Sequence, residues 1–165
     1  MPFVSISCAF LWPFFVAKPI PRYRARIPTY NSFPLPHTRI LLHVMNPLIS
    51  IVDDDESVRT ALKSLIDSVG FRAEVFCSGE EFLKSPFVFQ TDCLITDVRM
   101  PGMTGLELQE RLHAAGSSVP IVFISAHDDK EARARGLRDG AIAFLQKPFS
   151  EDSLLGAISE GLDKS

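Results

Sequence analysis

Cysteine is scarce in this chain: Cys8, Cys77 and Cys93 are odd in number and widely spaced. Neither a disulfide framework nor a zinc knuckle fits that pattern, so thiols in a reducing cytoplasm are expected, with Cys77 and Cys93 in the core. Acidic residues are missing from residues 1–46, which hold five basic side chains (Lys18, Arg22, Arg24, Arg26 and Arg39). All 20 acids therefore fall in residues 47–165, against the remaining 12 of the 17 basic residues, a formal charge of −8. A body this acidic lacks the basic footprint of a nucleic-acid binder. A membrane span is absent as well. The apolar stretch from Phe3 to Ala17 is short, is broken by Pro13, and has no basic start to make it a secretory signal. Seven of the 12 prolines precede residue 46. Residues 1–46 therefore read as a basic, Pro-rich extension, unstructured or upstream of the true start, with Met45 a credible initiator, and residues 47–165 read as one domain.

From residue 48 apolar runs and amphipathic segments alternate. Strands are expected over Leu48–Val52, Arg72–Phe76, Asp92–Thr96, Pro120–Ser125 and Ala141–Gln146. The first helix carries Val58, Leu62, Leu65, Ile66 and Val69 at helical spacing and stops at Gly70. Ser78-Gly79-Glu80-Glu81 reads as a capping box for a short helix through Lys84. A third helix runs from about Thr104 to Ala115. A fourth, Asp129–Arg138, has a thin apolar face, and a fifth follows Ser150 with Leu154, Leu155, Ile158 and Leu162. Five βα units predict an α/β fold: a doubly wound parallel sheet of five strands with five helices on its two faces.

Four of these strands end on residues that suit phosphoryl chemistry: Asp53-Asp54, Asp97, Ser125-Ala126 and Lys147-Pro148. In a parallel sheet ordered 2-1-3-4-5 the carboxyl ends of the strands share one edge, and ligands bind there. Close carboxylates repel, and a divalent cation removes the conflict; an all-oxygen set suits Mg²⁺ or Mn²⁺ better than zinc. The competing view of Asp53 to Glu56 is a solvated acidic turn that caps the first helix. Lys147 supplies a positive charge opposite the acids. Proline restricts the residue before it, and a cis bond there would aim the ammonium over the sheet edge. Ser125 offers a hydroxyl beside the small Ala126.

Together, Asp53-Asp54, Asp97 with Met100-Pro101-Gly102-Met103-Thr104-Gly105, Ser125-Ala126 and Lys147-Pro148-Phe149 resemble the signature of bacterial response-regulator receiver domains. Asp97-Val98-Arg99-Met100-Pro101-Gly102-Met103 is similar in particular to FixJ-type receivers, and the likeness covers about residues 48–162. It implies a flavodoxin-like fold and these roles. Asp97 would accept a phosphoryl group from a sensor histidine kinase or phosphotransfer protein. Asp54 would bind Mg²⁺ directly and Asp53 through water, with Asp97 and the Arg99 carbonyl completing the protein ligands. Lys147 would pair with Asp97 and then with phosphoryl oxygens. Ser125 and Phe144 would act as the switch that alters the face of helix 4, strand 5 and helix 5. Arg99 and His127, two places after Asp97 and Ser125, would tune dephosphorylation, while His113 reads as a solvated helix residue.

The resemblance thus predicts a cytoplasmic, stand-alone receiver in two-component signalling: a phosphorylation-controlled binding module rather than an enzyme. Its output would pass to an effector protein, or onward as a phosphate sink. Family likeness alone also raises phosphorylation-dependent homodimerisation. The competing enzyme class rests on Asp53-Asp54-Asp55-Glu56-Ser57, which loosely resembles the nucleophile motif of haloacid-dehalogenase-type phosphatases, with Asp53 as nucleophile and Asp55 as acid/base.

Overall fold

The computed structural model describes residues 46–164; the expectations for residues 1–45, the Met45 start among them, lie outside the described residues. Five strands, β1 Leu48–Val52, β2 Arg72–Phe76, β3 Cys93–Asp97, β4 Ile121–Ser125 and β5 Ala143–Gln146, form one sheet ordered β2-β1-β3-β4-β5. All four pairings are parallel. β1, β3 and β4 are buried along their whole length, as continuous apolar runs in a covered parallel sheet require. The edge strands β2 and β5 are partly open.

The helices are α1 Glu56–Ser68, α2 Gly79–Lys84, α3 Gly105–Ala114, α4 Lys130–Arg138 and α5 Glu151–Lys164. Side chains alternate through the pleat and so feed two cores. Ile121, Phe123 and Leu94 join Phe82, Leu108, Leu112 and Ala132 under α2, α3 and α4. Val122, Ile124 and Ile95 join Leu62, Ile66, Leu154 and Ile158 under α1 and α5. Burial of Leu62 and Ile66, one turn apart on α1, follows from the expected periodicity. α1 ends as anticipated: Gly70 takes φ +89°, a left-handed conformation open to glycine, and the Phe71 amide closes on the Ile66 carbonyl at 3.2 Å.

Several boundaries differ from expectation. β3 begins at Cys93 and includes Asp97, because the Asp92 carboxylate accepts the Leu48 amide at 2.7 Å while Asp97 is still paired with Ile124 of β4. β4 starts at Ile121. β5 starts at Ala143, since the Ala141 amide is used on the Gly136 carbonyl to finish α4. Thr104 and Asp129 are caps outside α3 and α4 rather than their first residues. Ser78 does cap α2, but Glu81 reaches past it to the Cys77 amide at 2.7 Å, so the box is only half formed; the complete box is Thr104/Glu107 on α3. A 3-10 turn over Pro86–Phe89 was not foreseen. It tucks Phe87 and Val88 against the core and leaves Phe89 92% exposed. Cys93 is a core thiol, whereas Cys77 is exposed, because it lies one residue beyond β2.

Candidate functional site

Four strand ends meet at one rim. Asp53 follows β1 and is 1% exposed. Its amide is spent on the Phe76 carbonyl of β2, its Oδ1 accepts the Asp55 amide at 2.9 Å, and its Oδ2 accepts the Lys147 ammonium at 2.8 Å. Asp97 closes β3. Its Oδ1 accepts the same ammonium at 2.9 Å and its Oδ2 the Arg99 amide at 2.6 Å. Lys147 follows β5; its amide donates to the Ser125 carbonyl at 2.7 Å, and its bond to Pro148 is cis, the isomer that would aim the ammonium over the sheet edge. One ammonium thus bridges two buried carboxylates that lie 44 residues apart in sequence. Burial by itself would lower the Lys147 pKa, but hydrogen bonds and charge from Asp53 and Asp97 outweigh it and raise it.

Asp54 and Asp55 divide the work of the acidic turn. Asp54 is exposed and engages no other described residue. Asp55 caps α1 by accepting the Ser57 amide at 2.8 Å, and that bond holds its carboxyl below the usual range. The capping view of this segment therefore holds for Asp55, while Asp54 stays open at the surface. Ser125 is buried, and its hydroxyl is turned to its own loop: it accepts the His127 amide at 3.2 Å and donates to the His127 carbonyl at 3.1 Å. Phe144 is 5% exposed and points into the core, its ring 5.9 Å from that of Phe123 and 5.7 Å from the Arg133 guanidinium. The structure thus unites Asp53, Asp97 and Lys147 by direct contact, and places Ser125, Asp54 and Arg99 on the same rim. His113 and His127 are exposed.

Three side chains make polar contacts that were not anticipated. The Arg59 guanidinium reaches back from α1 to the Asp53 carbonyl at 2.7 Å and fixes the acidic turn. The Arg99 side chain crosses to Asp129 at 2.8 Å. The Ala132 amide and then Arg99 hold the Asp129 carboxyl below its usual range. Gln109 is buried and donates to the Gly136 and Asp139 carbonyls of α4. A basic residue four places after a helix cap is the one sequence signal that points to Arg59.

Among the described residues no three His, Cys, Asp or Glu side chains form a ready metal cluster. The donor set nevertheless fits Mg²⁺. Three carboxylates against one ammonium leave a formal charge of −2 at the rim, all donors are oxygens, and Mg²⁺ needs only one or two carboxylates because it keeps several waters. No described helix is long and apolar enough to cross a membrane.

Comparison with known proteins agrees with this geometry. The response regulator receiver domain family matches residues 49–159. Response regulator protein TmoT of Ectopseudomonas mendocina is 46% identical over 115 residues, 70% of this chain and 52% of TmoT. The structure of response regulator StyR superposes with a TM-score of 0.68 at 48% identity, covering 72% of this chain and 60% of StyR. That of FixJ-N gives 0.67 at 31% identity, covering 73% and 96%. The chain spans about half the length of the curated relatives it matches. It belongs to the response-regulator receiver family, with FixJ-like relatives, whose domains are phosphorylated on aspartate in two-component signalling.

Proposed function

We propose that this receiver takes its phosphoryl group on Asp97. The observation that carries the reading is the Lys147 ammonium shared between Asp53 and Asp97. Receivers of this family generally bind Mg²⁺, partner with histidine kinases, and act as signalling modules rather than enzymes. Here Asp54, Asp53, Asp97 and the Arg99 carbonyl would hold the ion. Bound there, it would neutralise charge on the transferring group, which together with positioning is most of what phosphoryl transfer requires.

A carboxylate oxygen of Asp97 attacks phosphorus; the O–P bond forms as the P–N bond to the donor histidine breaks, and the departing imidazole takes up a proton. Before transfer Lys147 holds Asp97 in place; afterwards its ammonium is free to pair with a phosphoryl oxygen. Arg59 keeps the Asp53 carbonyl and its turn in position. Ser125 would leave the His127 backbone to donate to the phosphoryl group, and Phe144 would follow, changing the α4, β5 and α5 face read by an effector protein. The receiver occupies residues 47–165, outside the Pro-rich stretch, and works in the cytoplasm.

The phosphatase reading is weaker because Asp55, its acid/base, is committed to capping α1 with a lowered pKa, whereas a general acid needs a proton near neutrality. Incubation with acetyl phosphate and Mg²⁺, borohydride trapping and peptide mapping decide between them. Label at Asp97, lost in Asp97→Asn, is expected; label at Asp53 overturns the receiver assignment.

A further inference from the structure

Arg99 holds both the proposed acceptor and the start of α4. Its backbone amide lies 2.6 Å from Asp97 Oδ2, and its guanidinium lies 2.8 Å from Asp129 Oδ2. Asp129 is the N-cap of α4, and its other oxygen, Oδ1, accepts the Ala132 amide at 3.0 Å. We propose that the Arg99–Asp129 pair is a strap: a phosphoryl group on Asp97 draws the Arg99 guanidinium off Asp129 and loosens the first turn of α4. The proposal deepens the reading of Asp97 as acceptor and rests on it.

The competition for Arg99 is unequal. A phosphoryl group adds close to two negative charges and three acceptor oxygens to the carboxylate that the Arg99 amide already touches. A planar guanidinium binds such an oxygen set through two donors, whereas Asp129 offers it one oxygen. The Arg99 side chain is 58% exposed, so it can swing without disturbing the core. In this arrangement Arg99 reports the charge state of its neighbour at position 97 to a helix that begins 33 residues further on.

α4 is built to respond at that end. Its buried residues are only Ala132 and Gly136, so apolar packing holds it weakly. Its far end is pinned to α3, where Gln109 Nε2 donates to the Gly136 and Asp139 carbonyls at 3.2 and 3.1 Å and Arg135 pairs with Glu110. Its middle is tied to β5 by Arg133, which donates to the Phe144 carbonyl at 2.9 Å. Its near end depends on the cap and on Arg99. Loss of the strap therefore tilts α4 about its C-terminal end. This line of coupling does not run through the Ser125 hydroxyl, and it meets Phe144 through Arg133, whose guanidinium lies 5.7 Å from that ring.

The test is amide hydrogen exchange of Ala132 and Arg133, whose partners are both atoms of Asp129, with and without beryllium fluoride and Mg²⁺ as the phosphoryl stand-in. In wild type the stand-in should lower protection roughly two- to five-fold, the scale of an exposed ion pair. In Asp129→Asn the cap persists, because Asn caps as well as Asp, but the charge is gone; protection should already be low and the stand-in should not change it. Arg99→Ala should behave in the same way, and Arg99→Lys should restore part of the response. Fluorine resonances of the bound stand-in report occupancy independently. Occupancy at Asp97 with equal protection in wild type and Asp129→Asn overturns the strap alone. Absence of occupancy, together with no trapped label on Asp97, overturns the acceptor assignment and the strap with it.

Discussion

Lys147 decides how the rim behaves without ligand. Replacing it by Met leaves Asp53 and Asp97 facing each other across a buried gap. A fully buried pair broken in this way costs about 3–5 kcal/mol; because the Lys147 side chain is 23% exposed, about 1–3 kcal/mol is expected at pH 7. The pH dependence has a fixed sign. The folded pKa of Lys147 lies above its ordinary 10.5, so its contribution is complete below that value and fades as pH rises through the folded pKa. The gap in Tm between wild type and Lys147→Met should therefore narrow in alkali. The thiols separate by the same logic. Burial pushes Cys93 up to about 12, while Cys77 is exposed with its pKa raised mainly by the Glu81 hydrogen bond. Iodoacetamide at pH 8 should label Cys77 in the native protein and Cys93 only after unfolding, as peptide mapping would show. Asp53, Asp97, Ser125 and Lys147 were legible in the sequence because each ends an apolar run. Arg59, Gln109 and the Arg99 side chain were not, because a long polar side chain does not reveal in sequence which distant carbonyl or carboxylate it will reach. Cys77 was misplaced because a small residue at the end of a strand reads like core.

Among the elements, α4 shows how close approach is obtained. A Cβ on Gly136 would lie 2.9 Å from Phe123 Cε2 and 3.3 Å from Leu106 Cδ2. Gly136→Ala gains about 1 kcal/mol of helix propensity but pays about 1–3 kcal/mol in overpacking, so a net loss of up to about 2 kcal/mol is expected. A lower urea midpoint at constant m would register it, and the push should fall on Phe123, the ring against which Phe144 packs. Element order, helix hands-off points such as Gly70, and the thin apolar face of α4 could all be read in advance. Strand starts could not, since they depend on which backbone amides are taken elsewhere: Ala141 by the end of α4, Leu48 by a side chain of the β3 approach.

At the scale of the whole molecule, the formal −2 at the rim should make stability depend on divalent cations. MgCl₂ at ten times its dissociation constant is expected to add about 1.4 kcal/mol, seen as a rise in Tm that EDTA reverses and that Asp54→Asn weakens. A protein that begins at Met45 should keep the Tm and the Asp97 labelling of the full chain if residues 1–44 stand outside the receiver; a loss of either would place part of that stretch within the fold.

The sheet has two poles. The proposed phosphoryl site lies at the carboxyl ends of the strands, while Leu48, where β1 starts, is fastened to Asp92 at the other pole. α5 runs back to that same pole, where Gly161 packs on Pro120 and Cys93 at the beginnings of β4 and β3. Anything joined after α5 would therefore hang like cargo from the pole opposite the rim, leaving the doorway there clear for a donor. Such cargo would learn of phosphate only through the flanks between the poles.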